Sequence, residues 1–322
     1  MAIPTQIKDK LRLPVVGSPL FLASGPELVI EQCKAGIVGS FPALNARPEP
    51  VLHEWLKRIK EELQAFEKET GKTAAPFAVN QICHASNNRL QHDMDACVEH
   101  KVPLIITSLR PPDFVVEAAH SYGGLVFHDV ISVKHARKAA EQGVDGLILV
   151  CSGAGGHAGA LSPFALVQEV REWFDGTILL AGALGTGQSI LGAQAIGADL
   201  AYVGTRFIAT KEANSNPKYK EMIVASAADD IVYSSLFTGV AGNYLKPSIA
   251  KAGLDPNDLP DGSKSDMNFG SGGNTEAKAW KDIWGSGQGI GMMKDAPPVA
   301  DLVDQMEAEY VAAKKDLATR VF

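Results

Sequence analysis

Short apolar runs rich in Val, Ile and Leu recur along the first two thirds of the chain, each set off by Gly or Pro. Segments with helical spacing of apolar positions separate them. Runs that are apolar throughout predict strands covered on both faces, as in parallel sheets whose crossovers are helices. Eight strands are predicted, at residues 15–22, 36–40, 76–79, 103–107, 124–127, 146–150, 177–181 and 200–203. Helices are predicted at 52–69, 90–99, 112–120, 133–142, 163–174 and 189–196. Punctuation agrees with this reading. Ser162-Pro163 reads as an N-cap followed by proline at the first helical position, and Gly143, Gly176 and Gly197 lie just past helix ends, where a left-handed residue is expected.

So even a repetition favours a closed (β/α)8 barrel, a TIM barrel, over an open doubly wound sheet, which would more often carry a Gly-rich phosphate turn after its first strand. After Thr205 the rhythm stops. Residues 211–251 read as helical, 255–275 are polar and rich in Gly, Ser, Asp and Asn, and 299–317 form an amphipathic helix suited to closing the barrel. The expected organisation is a barrel from residues 1–210 and 284–322, with a smaller, mainly helical insertion at 211–283 covering the site.

Composition narrows the choice of partner. With 30 Lys and Arg against 37 Asp and Glu, the net charge of −7 gives no general reason to bind nucleic acid or anionic lipid, which leaves a small molecule. Cys33, Cys83, Cys97 and Cys151 form neither a disulfide framework nor a CxxC pair. They read as reduced thiols; Cys33 and Cys97 fit helix faces, and Cys151 has no visible activating partner. The first residues lack an apolar signal segment, and no stretch approaches the roughly 20 apolar residues needed to cross a bilayer, so a soluble, cytoplasmic monomer or homodimer is expected.

In such a barrel, function belongs to the loops after the strands. Three carry candidate chemistry: residues 151–159 with His157, residues 181–189, and Gly204-Thr205-Arg206. Their glycines let backbone N–H groups approach a ligand, and following helices add partial positive charge. The run from Gly182 to Ser189 approaches a nucleotide-binding P-loop but lacks its lysine, which points to a single phosphate rather than a triphosphate. His157 is a candidate general base. His84 and His128 end strands on the same face; His53, His92, His100, His120 and His135 read as surface residues on helices.

Gly155-Gly156-His157-Ala158-Gly159, then Ala181-Gly182-Ala183, then the run from Gly204 and Thr205 to Glu212 resemble, in order and spacing, the nitronate monooxygenase family. The likeness extends more weakly through Asn80 and the segment from Trp284 to Gly289. It implies a TIM barrel holding FMN at its top face. Gly182, Ala183, Gly204 and Thr205 match the phosphate positions, Ser24 and Gly25 the first-strand loop against the flavin, and Gly155 and Gly156 its flanks. Asn80 and Gln288 are counted with the cofactor contacts, and His157 matches the catalytic histidine. Two departures bear on substrate: Leu22-Ala-Ser-Gly25 replaces a glutamine-glycine-glycine-methionine run, and His128 stands where relatives often have lysine near the flavin. The implied reaction oxidises alkyl nitronates with O2 to carbonyl compounds and nitrite. The rivals are an NADH- or NADPH-dependent FMN reductase of quinones or enoyl thioesters and a flavin-binding protein without turnover. No metal is implied.

Overall fold

The strand segments are apolar throughout because both their faces are covered. In the structure, a computed structural model that describes residues 3–110, 113–262 and 283–320, neighbouring residues go to different cores. Ala78, Ile106, Phe127 and Ile148 meet in the barrel interior, whereas Val79, Ile105, Val126 and Leu147 pack against the surrounding helices. The strands are β1 Val15–Gly17, β2 Gly39–Pro42, β3 Phe77–Cys83, β4 Leu104–Leu109, β5 Leu125–Val130 and β6 Gly146–Val150. A two-residue β7, Gly156–His157, lies outside the barrel; β8 Thr177–Ala181 and β9 Leu200–Val203 complete it.

All eight barrel strands are parallel, in the order β1-β9-β8-β6-β5-β4-β3-β2. Closure decides against the open sheet. Val16 bridges Val38 in parallel, with Gly17 N–H donating to Val38 O at 2.8 Å and Val38 N–H to Val15 O at 3.1 Å. From the N-terminal turn, Ile7 enters the interior cluster and fills the end opposite the loops. The first strand is shorter than its apolar run, since the chain turns at residues 18–22 and Leu22 adopts φ 62°.

Gly143 and Gly197 do follow helix ends in the left-handed region, at φ 81° and 110°. Gly176 does not. It is small because a Cβ there would lie 2.5 Å from the Phe174 ring and 3.0 Å from Asp145 O.

The insertion differs from its helical reading. It holds helices Pro217–Ala225 and Lys246–Lys251, but between them lies a hairpin, β10 Ile231–Ser234 and β11 Gly242–Leu245. Four-residue runs are too short for periodicity to separate helix from strand, and pairing settled the matter. β11 also pairs antiparallel with β7, through Gly242 with His157 and Asn243 with Gly156. Most of the polar stretch at 255–275 lies outside the described residues.

Helix Val299–Thr319 packs on helices Gly187–Ala195 and Pro26–Lys34, burying Leu302, Val303 and Met306 with Ile190 and Phe207. Gly187 is where the helices touch. A Cβ there would lie 2.1 Å from Tyr310 N and 2.3 Å from Met306 O. Gly187→Ala is therefore expected to push the C-terminal helix off the barrel and cost about 1–3 kcal/mol. Thermal denaturation checks this; an unchanged melting temperature would contradict the packing.

Candidate active site

A cavity of about 810 Å³ opens at the carboxyl ends of the barrel strands. Strand alternation sets its floor: Asn80, Ser108, Asp129 and Tyr202 are the next inward-facing positions above Ala78, Ile106, Phe127 and Leu200. Asn80 Nδ2 donates to Ser108 Oγ at 2.9 Å, and Ser108 donates to Asp129 Oδ2 at 2.5 Å. Asp129 Oδ1 is buried with no hydrogen-bond partner among the described residues. Burial pushes the Asp129 carboxyl up to about 6, against the pull of the Ser108 hydroxyl. Burial, reinforced by Asp129, also raises the Tyr202 phenol.

The same alternation turns His128 outward. Its Nδ1 lies 2.8 Å from Thr107 Oγ1, and the ring borders the cavity beside His135 and Lys138. Burial, with His135 adding repulsion, lowers it to about 4. The imidazole is therefore neutral at pH 7, and the inward group of this pair is the carboxyl of Asp129.

Three loops form the upper wall. After β6, Gly156 turns at φ 68° and places His157 in the small sheet, half-buried. His157 Nε2 is 2.9 Å from Thr238 Oγ1, whose hydroxyl donates to Val240 O at 3.0 Å. One hydroxyl proton cannot serve both, so Nε2 carries the proton and donates to Thr238. Burial holds this imidazole at about 4, hence neutral at pH 7. After β8, Gly182 and Ala183 sit at φ 136° and 54°. After β9 come Gly204 and Thr205, the latter accepting from Gly287 N–H at 2.9 Å.

The return segment 284–289 locks these loops together. A Cβ on Gly155 would lie 2.7 Å from Gly287 N, on Gly287 2.8 Å from Gly153 O, on Gly289 2.8 Å from Ala183 O, and on Gly182 2.8 Å from Ser152 O. Trp284 stacks on Tyr219 of the insertion at 4.9 Å, and Asn243 Nδ2 donates to Ala154 O at 2.7 Å.

Asn80, His128, Gly155, Gly156, His157, Gly182, Ala183, Gly204 and Thr205 thus border one cavity. Ser24, Gly25 and Gln288 do not. Ser24 Oγ accepts from Leu20 N–H at 3.0 Å, and Gly25 caps helix Pro26–Lys34, so this pair shapes the loop whose residues 18–21 reach the cavity. Gln288 exposes its side chain and donates its N–H to Gly153 O at 2.9 Å; its neighbours Gly287 and Gly289 line the wall.

The first turn of helix Gly187–Ala195 is satisfied within the protein. Thr186 and Ser189 cap one another, and Gly187 N–H donates to Glu309 at 2.8 Å. His84 stays outside the wall, beside Ser86 at 2.8 Å. All four thiols are buried, and burial pushes each up to about 12, which disfavours the thiolate. Asp129, Tyr202, Ser18 and Thr238 were missed: strand parity could have found the first two, but only folding brings Thr238 to His157.

The sequence profile of nitronate monooxygenases matches residues 27–309. The chain belongs to the nitronate monooxygenase family. A nitronate monooxygenase of Neurospora crassa is 26% identical over 92% of this chain and 88% of its own. A relative from Mycobacterium tuberculosis is 33% identical over 55% of this chain, which spans about half (47%) of that protein's length. FabK from Thermotoga maritima superposes with a TM-score of 0.77 at 23% identity, covering 99% of this chain and 100% of that one, and supports the fold. The family's enzymes are flavin-dependent oxidoreductases acting on small molecules, and this chain is an oxidoreductase. Among the described residues no helix is long and apolar enough to cross a membrane.

Asp129 gives the family member a pH dependence of definite sign. Its folded value of about 6 exceeds the ordinary 3.8, so its contribution is most favourable below pH 3.8 and is lost as pH rises through 6. Asp129→Asn should therefore gain stability relative to the parent on going from pH 4 to pH 8. Denaturant midpoints measure it, and an equal difference at both pH values would contradict the assignment. His128 and His157 act oppositely, with stability whole above 6.5 and lost as pH falls towards 4.

Proposed function

We propose that this chain is an FMN-dependent nitronate monooxygenase, converting alkyl nitronates and O2 to carbonyl compounds and nitrite. The observation that carries the reading is that one cavity is bordered both by the glycine turns at 182–183 and 204–205 and by His157.

The residues suit FMN. Left-handed Gly182 and Ala183 expose main chain at the wall, and a side chain on Gly204 would lie 2.7 Å from Ser18 Oγ, so backbone rather than side chains meets the ligand there. Thr205 and Arg206 open a helix, so their N–H groups have no intrahelical acceptor. These groups would hold the phosphate; Gly155 and Gly156 would flank the flat ring. Bound FMN would supply the electron acceptor.

The chain's own part is placement and protonation state. With Nε2 donating to Thr238, the other ring nitrogen of His157 carries the lone pair. At about 4 this imidazole is a weak proton acceptor, so the site favours a substrate that arrives as the nitronate anion over one needing deprotonation at carbon. Phe237 and Val240 of the insertion and Trp284 of the return segment line the same cavity and would shield a bound substrate from water.

His157→Asn is expected to keep its flavin while losing about 10²-fold or more of kcat/KM on neutral nitroalkane, with a smaller loss on preformed nitronate. Steady-state nitrite release reads both, and unchanged kinetics would remove His157 from the reaction. Gly182→Ala, forced to φ 136°, should weaken FMN binding by about tenfold or more in a fluorescence titration. Rapid anaerobic bleaching by NADH or NADPH, without nitrite release from nitronates, would overturn the monooxygenase in favour of a reductase.

A further inference from the structure

Outside the barrel, helices Val51–Thr70 and Leu90–Glu99 bring two imidazoles and a carboxylate together. His53 Nδ1 lies 3.1 Å from His100 Nε2 and 3.9 Å from Glu99 Oε2, and one ligand atom from each of the three residues falls within 4.8 Å of the others. Among the described residues this is the one such group. At this distance one nitrogen carries a proton and the other accepts it, and a metal ion would displace that shared proton.

The spacing is close to that of metal ligands. Bonds of about 2.0–2.1 Å in a tetrahedral set place ligand nitrogens about 3.3–3.4 Å apart, so the pair needs to move by only tenths of an ångström. The charge arrangement points the same way. Glu99 ends its ten-residue helix and His100 caps it, where the helix dipole disfavours a carboxylate and favours a cation. One group opposes a dication: Lys60 Nζ donates to His100 O at 3.1 Å.

We propose that His53, Glu99 and His100 bind one divalent transition-metal ion of the Zn²⁺ class, clipping the two helices together on the outer surface. A donor set of two imidazoles and one carboxylate suits Zn²⁺, Co²⁺ or Ni²⁺ and does not suit Ca²⁺ or Mg²⁺, which want oxygen. The site is independent of the flavin reading, because it lies outside the cavity.

Calorimetric titration of the tag-free full chain with Zn²⁺ alone tests it, with Co²⁺ absorption as a second readout. One saturable equivalent is expected, with a rise in melting temperature and visible bands of low-coordinate Co²⁺. His53→Ala and His100→Ala should each weaken binding by about tenfold or more. His120→Ala, on another surface and paired with Asp145, should leave it unchanged. Circular dichroism checks that each variant is folded. Absence of saturable binding at millimolar metal, parental affinity in His53→Ala and His100→Ala, or equal weakening in His120→Ala would each overturn the site.

Discussion

At the mouth of the barrel, main chain touches main chain. The loops after β6, β8 and β9 and the return segment 284–289 approach so closely that Gly155, Gly182, Gly287 and Gly289 have no room for a Cβ. Such contact needs hydrogen-bond partners for the polar backbone it buries, and it has them: Gln288 N–H on Gly153 O, Gly287 N–H on Thr205, and Ala183 N–H on Gly153 O. The wall of the cavity is consequently backbone, held in place by other backbone. A ligand meets preset amides there instead of side chains that must first be ordered, which lowers the entropy cost of binding.

Desolvation is the second organising influence. It acts against charge at three groups of the cavity floor and rim: Asp129 is raised, while His128 and His157 are lowered. A bound anion would oppose this shift at His157 by favouring the protonated imidazole.

The insertion is joined to the barrel by this same chemistry. β11 pairs with the two residues of β7, one of which is His157, and Thr238 from the preceding turn orients the ring. The catalytic candidate belongs to the barrel by sequence and to the insertion by hydrogen bonding. Displacing the hairpin would displace the imidazole.

Strand count, helix order and the three glycine loops were legible in the chain, because a strand buried on both faces must be apolar throughout and a backbone that touches backbone must be glycine. Those requirements are local and leave their mark residue by residue. Other properties depended on registry and packing. Gly187 reads as part of a phosphate turn, yet the C-terminal helix explains it; Ser24, Gly25 and Gln288 are expected at the cofactor, yet they support the wall from behind. His128 and Asp129 are adjacent in the chain, and only the parity of β5 decides which of them stands at the barrel floor beside Ser108 and which turns towards Thr107. Closure of the barrel, the hairpin pairing on His157 and the meeting of His53 with Glu99 and His100 all join residues far apart in sequence. Composition and periodicity describe each segment alone, so contacts of that kind exist only once the segments have packed.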